Sequence, residues 1–381
     1  LSALSDKYVF KKPLVRILVG LFDTLGGALF FWQKWQKLPS AYRRILVMRV
    51  DQLGDVVMTL PAMAALEAAF PETQIDFVVG PWARELAETY VHHAYIFKHS
   101  YFGEDVSRFH SFEEGIRLAW SLRKNRYDLA IDFRGDLRNA AFLFLTGARR
   151  RVGYGSAGGG FFYTDCLAEE RGRHQVERNL ECIKAVGGRV PQEIPKLKYR
   201  PADPAAWQKK ISSLQDLARR PWIVMHIGSG YPSKRWPAAN FFSLLDRMLG
   251  EGTGTVILTG QEKEESLVRP YFKERSGLVN LIRKTSIAEL CALIDQADLF
   301  VGNDSGPAHL AAALGKKTVV LFSGTNDWRV WQPRGSSVHV IHHEVPCSPC
   351  HERVCPLPRH ECMENITVDR VFNKIREVAD V

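Results

Sequence analysis

The chain has 381 residues, 46% of them hydrophobic and 24% charged, which suits two domains with substantial cores. Its seven cysteines are too few and too unevenly placed for a disulfide scaffold, so a reducing cytoplasm is the simpler setting. The formal charge of +9 is concentrated in the first fifty residues, where nine cations, Lys7, Lys11 and Lys12 among them, face only Asp6 and Asp23, and a generally basic nucleic-acid binder is disfavoured.

Residues 1–40 read as a basic amphipathic arm. Leu14, Leu18, Leu21, Leu25, Ala28 and Trp32 recur at helical spacing, widened by Val15, Phe22 and Leu29, with Arg16, Gly20, Asp23 and Gly27 opposite. Arg16 and Asp23 interrupt the run and argue against a bilayer span. A secretory signal is disfavoured too, because Trp32, Lys34, Trp35 and Lys37 follow where small cleavage-site residues belong. Such a helix suits the interface of an anionic membrane; packing on the protein itself is the plainer alternative.

After Pro39, strand and helix alternate. Arg44–Val50 predicts a buried strand, followed by a turn at Asp51–Asp55 and a helix to Phe70. Strands are expected at Ile75–Gly80, Tyr95–Lys98 and Tyr127–Phe133, helices at Phe112–Lys124 and Gln175–Val186, and a glycine loop from Gly153 to Gly160. In the segment R-V-D-Q-L-G-D-V-V-M-T-L-P, Arg49–Pro61, Gly54 permits a tight turn and Asp55 opens a helix. The segment lacks the G-x-G-x-x-G dinucleotide fingerprint. Asp55 either caps that helix or presents a carboxylate able to take a proton from an attacking hydroxyl.

Pro191–Pro204, with four prolines, reads as the interdomain linker. Strands resume at Trp222–Ile227, Thr255–Thr259, Leu278–Ile282, Leu299–Gly302 and Thr318–Phe322, with helices at Ile287–Gln296 and Val368–Val378, the last expected to pack back towards the first domain. The sequence therefore predicts an α/β protein of two doubly wound Rossmann-like domains facing a cleft, at 41–195 and 205–345, with a Cys-rich segment and closing helix at 346–381.

Three strand ends carry the second domain's chemistry. In H-I-G-S-G-Y-P-S-K-R-W-P, His226–Pro237, the glycines beside Ser229 let a phosphate approach and Lys234 supplies charge. Glu262, Glu264 and Glu265 favour the helix start after Thr259 electrostatically, and one of them is a candidate for ribose hydroxyls. In G-N-D-S-G-P-A-H, Gly302–His309, Asp304 ends a strand, Ser305 is placed to cap, Gly306 allows close approach and Pro307 suits the first helical turn. Free amides and the helix dipole there make a phosphate seat, with His309 counted among the donor-binding candidates. The plain alternative is an ordinary strand-to-helix turn. No Asp-x-Asp pair occurs, so a leaving diphosphate has to be stabilised by Lys234 and the helix start rather than by a carboxylate-held metal.

Cys347, Cys350, Cys355 and Cys362 are spaced C-x2-C-x4-C-x6-C. Free thiols or disulfide pairing are the leading readings, with a structural zinc or iron–sulfur centre behind them.

The motifs L-G-D-V-V-M-T-L-P (53–61), I-D-F-R-G-D-L-R-N-A (131–140), S-K-R-W-P (233–237), G-N-D-S-G-P-A-H (302–309) and the closing cysteine pattern occur together in order. Over roughly residues 43–381 the chain resembles glycosyltransferase family 9, the ADP-heptose:lipopolysaccharide heptosyltransferases. The resemblance implies a GT-B fold and inverting transfer of a heptose from ADP-heptose to the lipopolysaccharide inner core, with no cofactor required. It implies Asp55 as general base, Lys234 as the diphosphate-binding cation, and Asp304, Ser305 and Gly306 as donor contacts. A glutamate of the 262–265 group would take the ribose, and Glu264 is chosen. Gly54, Arg134, Arg138 and Arg151 are the acceptor-side candidates, Arg134 standing where family members often carry a neutral residue. The partners expected are a nucleotide-sugar donor, a lipid-linked oligosaccharide acceptor and the cytoplasmic face of the inner membrane, with no nucleic acid.

Two rival classes are weaker. A non-catalytic two-lobed sugar-nucleotide binding protein would not need Asp55, and a family 9 transferase with another donor or acceptor shares every motif. A cysteine-knuckle nucleic-acid binder needs aromatics among the cysteines, and that segment has none.

Overall fold

The computed structural model describes residues 8–10, 12–98, 108–201, 203–212 and 220–379; Asp6, Lys7 and Lys11 of the basic arm lie outside the described residues. The chain divides into two compact units, Leu1–Ile194 and Pro195–Val381.

In the first unit the strands are β1 (Arg44–Arg49), β2 (Gln74–Val79), β3 (His93–Ile96), β4 (Leu129–Asp132), β5 (Arg150–Tyr154) and β6 (Asp165–Leu167). They pair in the order β3-β2-β1-β4-β5-β6, all parallel. A parallel sheet covered on both faces needs apolar residues on both, and Ile45, Leu46, Val47 and Met48 of β1 are all buried. Gly153 and Tyr154, expected in a glycine loop, instead end β5. That strand is hard to read because it opens on two arginines. Arg150 is neutralised by Asp165 at 2.8 Å, and Arg151 is held by carbonyl oxygens.

The second unit contains β7 (Trp222–His226), β8 (Thr255–Thr259), β9 (Leu278–Asn280), β10 (Leu299–Asn303), β11 (Lys317–Phe322) and β12 (Val338–His342). Their order is β12-β11-β10-β7-β8-β9, again all parallel. Counted from its own first strand, each unit has the same winding, although no sequence repeat announces it. In both, the order reverses beside the first strand, between β1 and β4 and between β7 and β10. Ligands of doubly wound sheets bind outside the carboxyl ends of the strands at such a point.

The closing helix, Val368–Ala379, does not spend its apolar face on the first domain. Val371, Phe372, Ile375 and Val378 are buried in the second unit's core with Phe241, Leu245 and Leu321. Arg247 of the helix Ala238–Gly250 lies 4.0 Å from the Phe372 ring centroid and pairs with Asp369 at 2.5 Å, which ties the two helices together. Spacing identifies an apolar face, but not which of two domains will cover it.

The arm helix, Pro13–Leu29, is seated on the first unit by its polar side. Asp23 is buried, accepting from Tyr8 Oη at 2.9 Å and from the Gly159 amide at 2.8 Å. Gly26 lies under Phe161, whose ring would stand 2.3 Å from any added Cβ. Leu14, Leu18, Leu21, Leu25 and Leu29 are left exposed. Among the described residues no helix is long and apolar enough to cross a membrane.

Candidate functional site

At the end of β1 the chain leaves the sheet through Val50 and Asp51 into a short helix, Leu53–Val57, that carries Gly54 and Asp55. Arg49, Asp51, Asp55, Arg134 and Asp136 form one charged cluster there. Arg49 pairs with Asp51 at 2.7 Å and with Asp55 at 3.2 Å; Arg134 reaches Asp51 and, at 2.8 Å, Asp136. Arg134 is positioned by the turn after β4. The Asp132 carboxylate accepts from the amides of Arg134 and Gly135, both at 2.9 Å, and from Tyr163 Oη at 2.6 Å. Gly135 sits at φ +82° with the Tyr154 carbonyl 2.7 Å from where a Cβ would be, so only glycine serves there.

The carboxylates of this cluster differ. Burial is the main cause that raises the Asp51 carboxyl to about 6; Arg49 and Arg134 oppose it, and Asp55 and Asp136 add to it. Asp136 is moved the other way: burial would raise it, but Arg134, Arg138 and the amide of Asn139, within the helix it caps, bring it down. Asp55 and Asp136 are the partly open members, their side chains 18% and 15% exposed, whereas Asp51 is buried. Gly54 is buried beside it, where its carbonyl accepts from Met58.

Arg138 belongs to this cluster's edge, half exposed and 3.2 Å from Asp136. Arg151 does not join it. It is buried, and its guanidinium is bound by Gln33 and the carbonyls of Ala148 and Phe162. A buried cation requires such oxygens, and they turn it away from Arg134. The structure thus binds Arg151 to Gln33, Ala148 and Phe162 and, among the described residues, shows no contact between it and the Arg134 cluster.

In the second unit, β7 and β10 end side by side. Gly302 lets them approach, with the His226 carbonyl 2.6 Å from its Cβ position. Asn303 latches the two strand ends, donating to the Ile227 carbonyl at 2.8 Å and accepting from the Trp236 amide at 2.9 Å. Ser229 Oγ donates to the Asp304 carbonyl at 2.9 Å. Lys234 Nζ lies 2.6 Å from Asp304 Oδ2, and His309 Nε2 lies 3.7 Å from Oδ1. Burial alone would raise the Asp304 carboxyl, yet Lys234 and His309 outweigh it and hold it down at about 2. The Asp304 carboxylate is thus ionised at any working pH.

Ser305 occupies the N-cap of the helix Gly306–Ala313, but its hydroxyl does not cap. It donates to the Asn303 carbonyl at 3.0 Å, because an extended backbone (φ −159°, ψ 163°) turns it back along the strand. Pro307 has no amide hydrogen, and the Ala308 and His309 amides bond the Ser305 carbonyl, so the Gly306 amide is left for a ligand, with no side chain in front of it.

Of the three glutamates after β8, Glu262 and Glu265 pair with Arg283, and only Glu264 is buried. One Glu264 oxygen closes a capping box on the Gln261 amide at 2.8 Å, while Oε1 is buried without a hydrogen-bond partner. His309 Nδ1 is likewise buried and unpartnered. Orphaned polar atoms cost stability unless something completes them.

The four clustered cysteines are free thiols: Cys347 exposed, Cys350 and Cys355 half buried, Cys362 buried. Among the described residues no trio of His, Cys, Asp or Glu is arranged to hold a metal. Their segment instead braces the Lys234 loop. Ser233 donates to the Glu352 carbonyl at 2.6 Å, its amide bonds Arg353, and Cys350 and His351 bond the backbone at Gly324 and Thr325.

Sequence reading missed Arg49, Asp51, Asp132, Asp136 and Asn303. Their signal is visible in retrospect: Arg49, Asp132 and Asn303 are the last residues of apolar strands, and Asp51 and Asp136 lie in the turns that follow β1 and β4.

The chain matches the family model of glycosyltransferase family 9 (heptosyltransferase) over residues 116–360. It is 26% identical over 339 residues to lipooligosaccharide heptosyltransferase 2 of Campylobacter jejuni subsp. jejuni serotype O:6, covering 86% of this chain and 96% of that one. Its fold is similar to that of Escherichia coli ADP-heptose lps heptosyltransferase II, with a TM-score of 0.71 at 21% identity, over 88% of this chain and 98% of the other. E. coli heptosyltransferase WaaC with ADP-2-deoxy-2-fluoro heptose gives 0.65 at 21% identity, over 88% and 99%.

Proposed function

The chain belongs to glycosyltransferase family 9, and we propose that it is an inverting, metal-independent transferase moving a heptose from ADP-heptose to the inner core of lipopolysaccharide. The GT-B type of its two six-stranded parallel sheets and the heptosyltransferase names of its relatives support the class. The observation that carries the donor reading is the Lys234–Asp304 pair beside the open start of the helix Gly306–Ala313.

In this mechanism the acceptor hydroxyl oxygen attacks the anomeric carbon of the heptose from the face opposite the diphosphate. The new C–O bond forms as the bond from that carbon to the diphosphate oxygen breaks, which inverts the centre. Asp55, oriented by Arg49, takes the hydroxyl proton. ADP departs with the bonding pair, and Lys234, the Gly306 amide and the helix dipole stabilise its charge. The Glu264 oxygen that lacks a partner accepts from a ribose hydroxyl, and His309 Nδ1 and Ser229 line the donor seat. Arg134 and Arg138 meet an anionic acceptor. The protein works at the cytoplasmic face of the inner membrane, docked through its arm, where a lipid-linked acceptor resides.

The test is ADP release by the purified chain with ADP-heptose and a heptose-deficient lipopolysaccharide precursor. Release that depends on the acceptor is expected, with other nucleotide sugars turned over far more slowly. The mechanism fails if Asp55→Ala, still binding donor, releases ADP at the parent rate.

A further inference from the structure

A hollow of about 530 Å³ lies in the first unit where the arm meets the sheet, lined by Trp32, Lys37, Arg123, Phe144, Arg149 and Arg151. Its walls contain four cations and no carboxylate. Lys37, Arg123 and Arg149 are exposed, and the buried Arg151 is held by neutral oxygens, so the site carries an excess of positive charge. Other arginines of this unit, among them Arg49, Arg134, Arg150 and Arg178, stand against carboxylates. Phosphate is the anion that fits a cluster of arginines and a lysine.

Its surroundings decide where that phosphate comes from. Trp32 lines the hollow and is half exposed, and its neighbours Phe31 and Trp35 are 60% and 83% exposed. They continue the outward stripe of Leu14, Leu18, Leu21, Leu25 and Leu29. Apolar side chains bordered by tryptophans and cations match the depth profile of a membrane interface, with hydrocarbon outside and headgroups behind. The arm helix is inverted relative to an ordinary surface helix. Its polar side is consumed by Asp23 and Gly26 against the protein, leaving the apolar side for something outside it.

We propose that this hollow is a binding site for the phosphate headgroup of an anionic bilayer lipid, seated as the arm's apolar stripe enters the membrane. It rests on the membrane reading above and adds a specific site to it. A diffuse basic surface would attract a bilayer without discriminating which cations do so; a lined hollow makes Lys37, Arg123 and Arg149 matter more than equal charges elsewhere.

Co-sedimentation of the full chain with phosphatidylcholine vesicles, with and without phosphatidylglycerol, tests it. The variant Lys37→Gln/Arg123→Gln/Arg149→Gln is compared with Lys209→Gln/Arg269→Gln/Lys273→Gln, which removes the same charge from the second unit. The hollow variant is expected to lose about 30-fold in binding to the phosphatidylglycerol vesicles, and the remote variant about twofold or less. Leu21→Glu/Leu25→Glu is expected to lose binding to both vesicle types. Equal losses in the two charge variants overturn the site while leaving the membrane reading intact. Failure of the parent chain to bind either vesicle overturns both. Saturation of the hollow by inorganic phosphate, followed by tryptophan fluorescence, without vesicle binding, assigns it to a soluble anion and overturns the lipid.

Discussion

Asp51 and Asp304 are each buried just past a strand that flanks a winding reversal, the first strand of one unit and the fourth of the other, and burial pushes both carboxyls up, yet they end on opposite sides of the ordinary value. Asp51 is raised to about 6, and Asp304 is lowered to about 2. Asp51 shares Arg49 with Asp55 and Arg134 with Asp136, and both of those carboxylates push it up. Asp304 has Lys234 at 2.6 Å and His309 nearby, with no competing acid among them. The lesson is that burial pushes either carboxyl up, and the counter-charges in the same enclosure decide whether that push is overturned. The first unit's cluster is poised to exchange protons, and the second unit's is a fixed dipole suited to an incoming diphosphate.

The largest expected effect separates those roles. Asp55→Ala should lower kcat by about 10³-fold with donor Kd within twofold, read by ADP release and isothermal titration. Lys234→Met should lower kcat by about 10²-fold and also weaken ADP binding, since its charge acts on both donor and leaving group. Should Asp55→Ala weaken donor binding as much as Lys234→Met does, the division of labour between the units is lost.

Linkage sharpens the comparison further. The folded value of Asp51 lies above the ordinary 3.8, so its ionisation opposes folding as pH rises through about 6. Asp51→Asn should therefore gain about 3 kcal/mol relative to the parent between pH 4 and pH 7 in urea unfolding. The folded value of Asp304 lies below 3.8, so its contribution is complete above that pH and is lost as pH falls through about 2. As pH rises from about 2 to 4, Asp304→Asn should therefore fall behind the parent by about 2 kcal/mol, the opposite sign to Asp51→Asn. Matching signs in the two variants would refute the counter-charge account. The smallest expected effect is at Glu264. Glu264→Gln keeps an oxygen for the Gln261 amide, so stability should change by about 1 kcal/mol or less while donor Kd rises about tenfold.

Much of the fold was legible locally. β1, β7, β8 and β10 are unbroken apolar runs, and their ends are marked by Gly54, Gly228 and Gly306, so the strands and the turns after them follow from composition alone. β5 and β12 were not legible, because Arg150 and Arg151 in one and His339 and His342 in the other break the apolar run, and the partners that settle the arginines lie elsewhere in the chain. At the candidate site, Asp55, Lys234 and Asp304 stand out by their place after a strand. Arg151 lies inside β5 instead, and its guanidinium is bound by oxygens of Gln33, Ala148 and Phe162 that the local sequence does not announce.

By itself the sequence determined the alternation of strand and helix, the motifs of family 9, and an apolar stripe on the arm, since these are properties of neighbouring residues and their spacing. The tertiary structure alone decided which acid is raised and which lowered, that the closing helix is spent on the second unit, and that the arm turns its leucines outward. The physical reason is that charge balance and burial are set by residues distant in the chain, which spacing along one segment does not record.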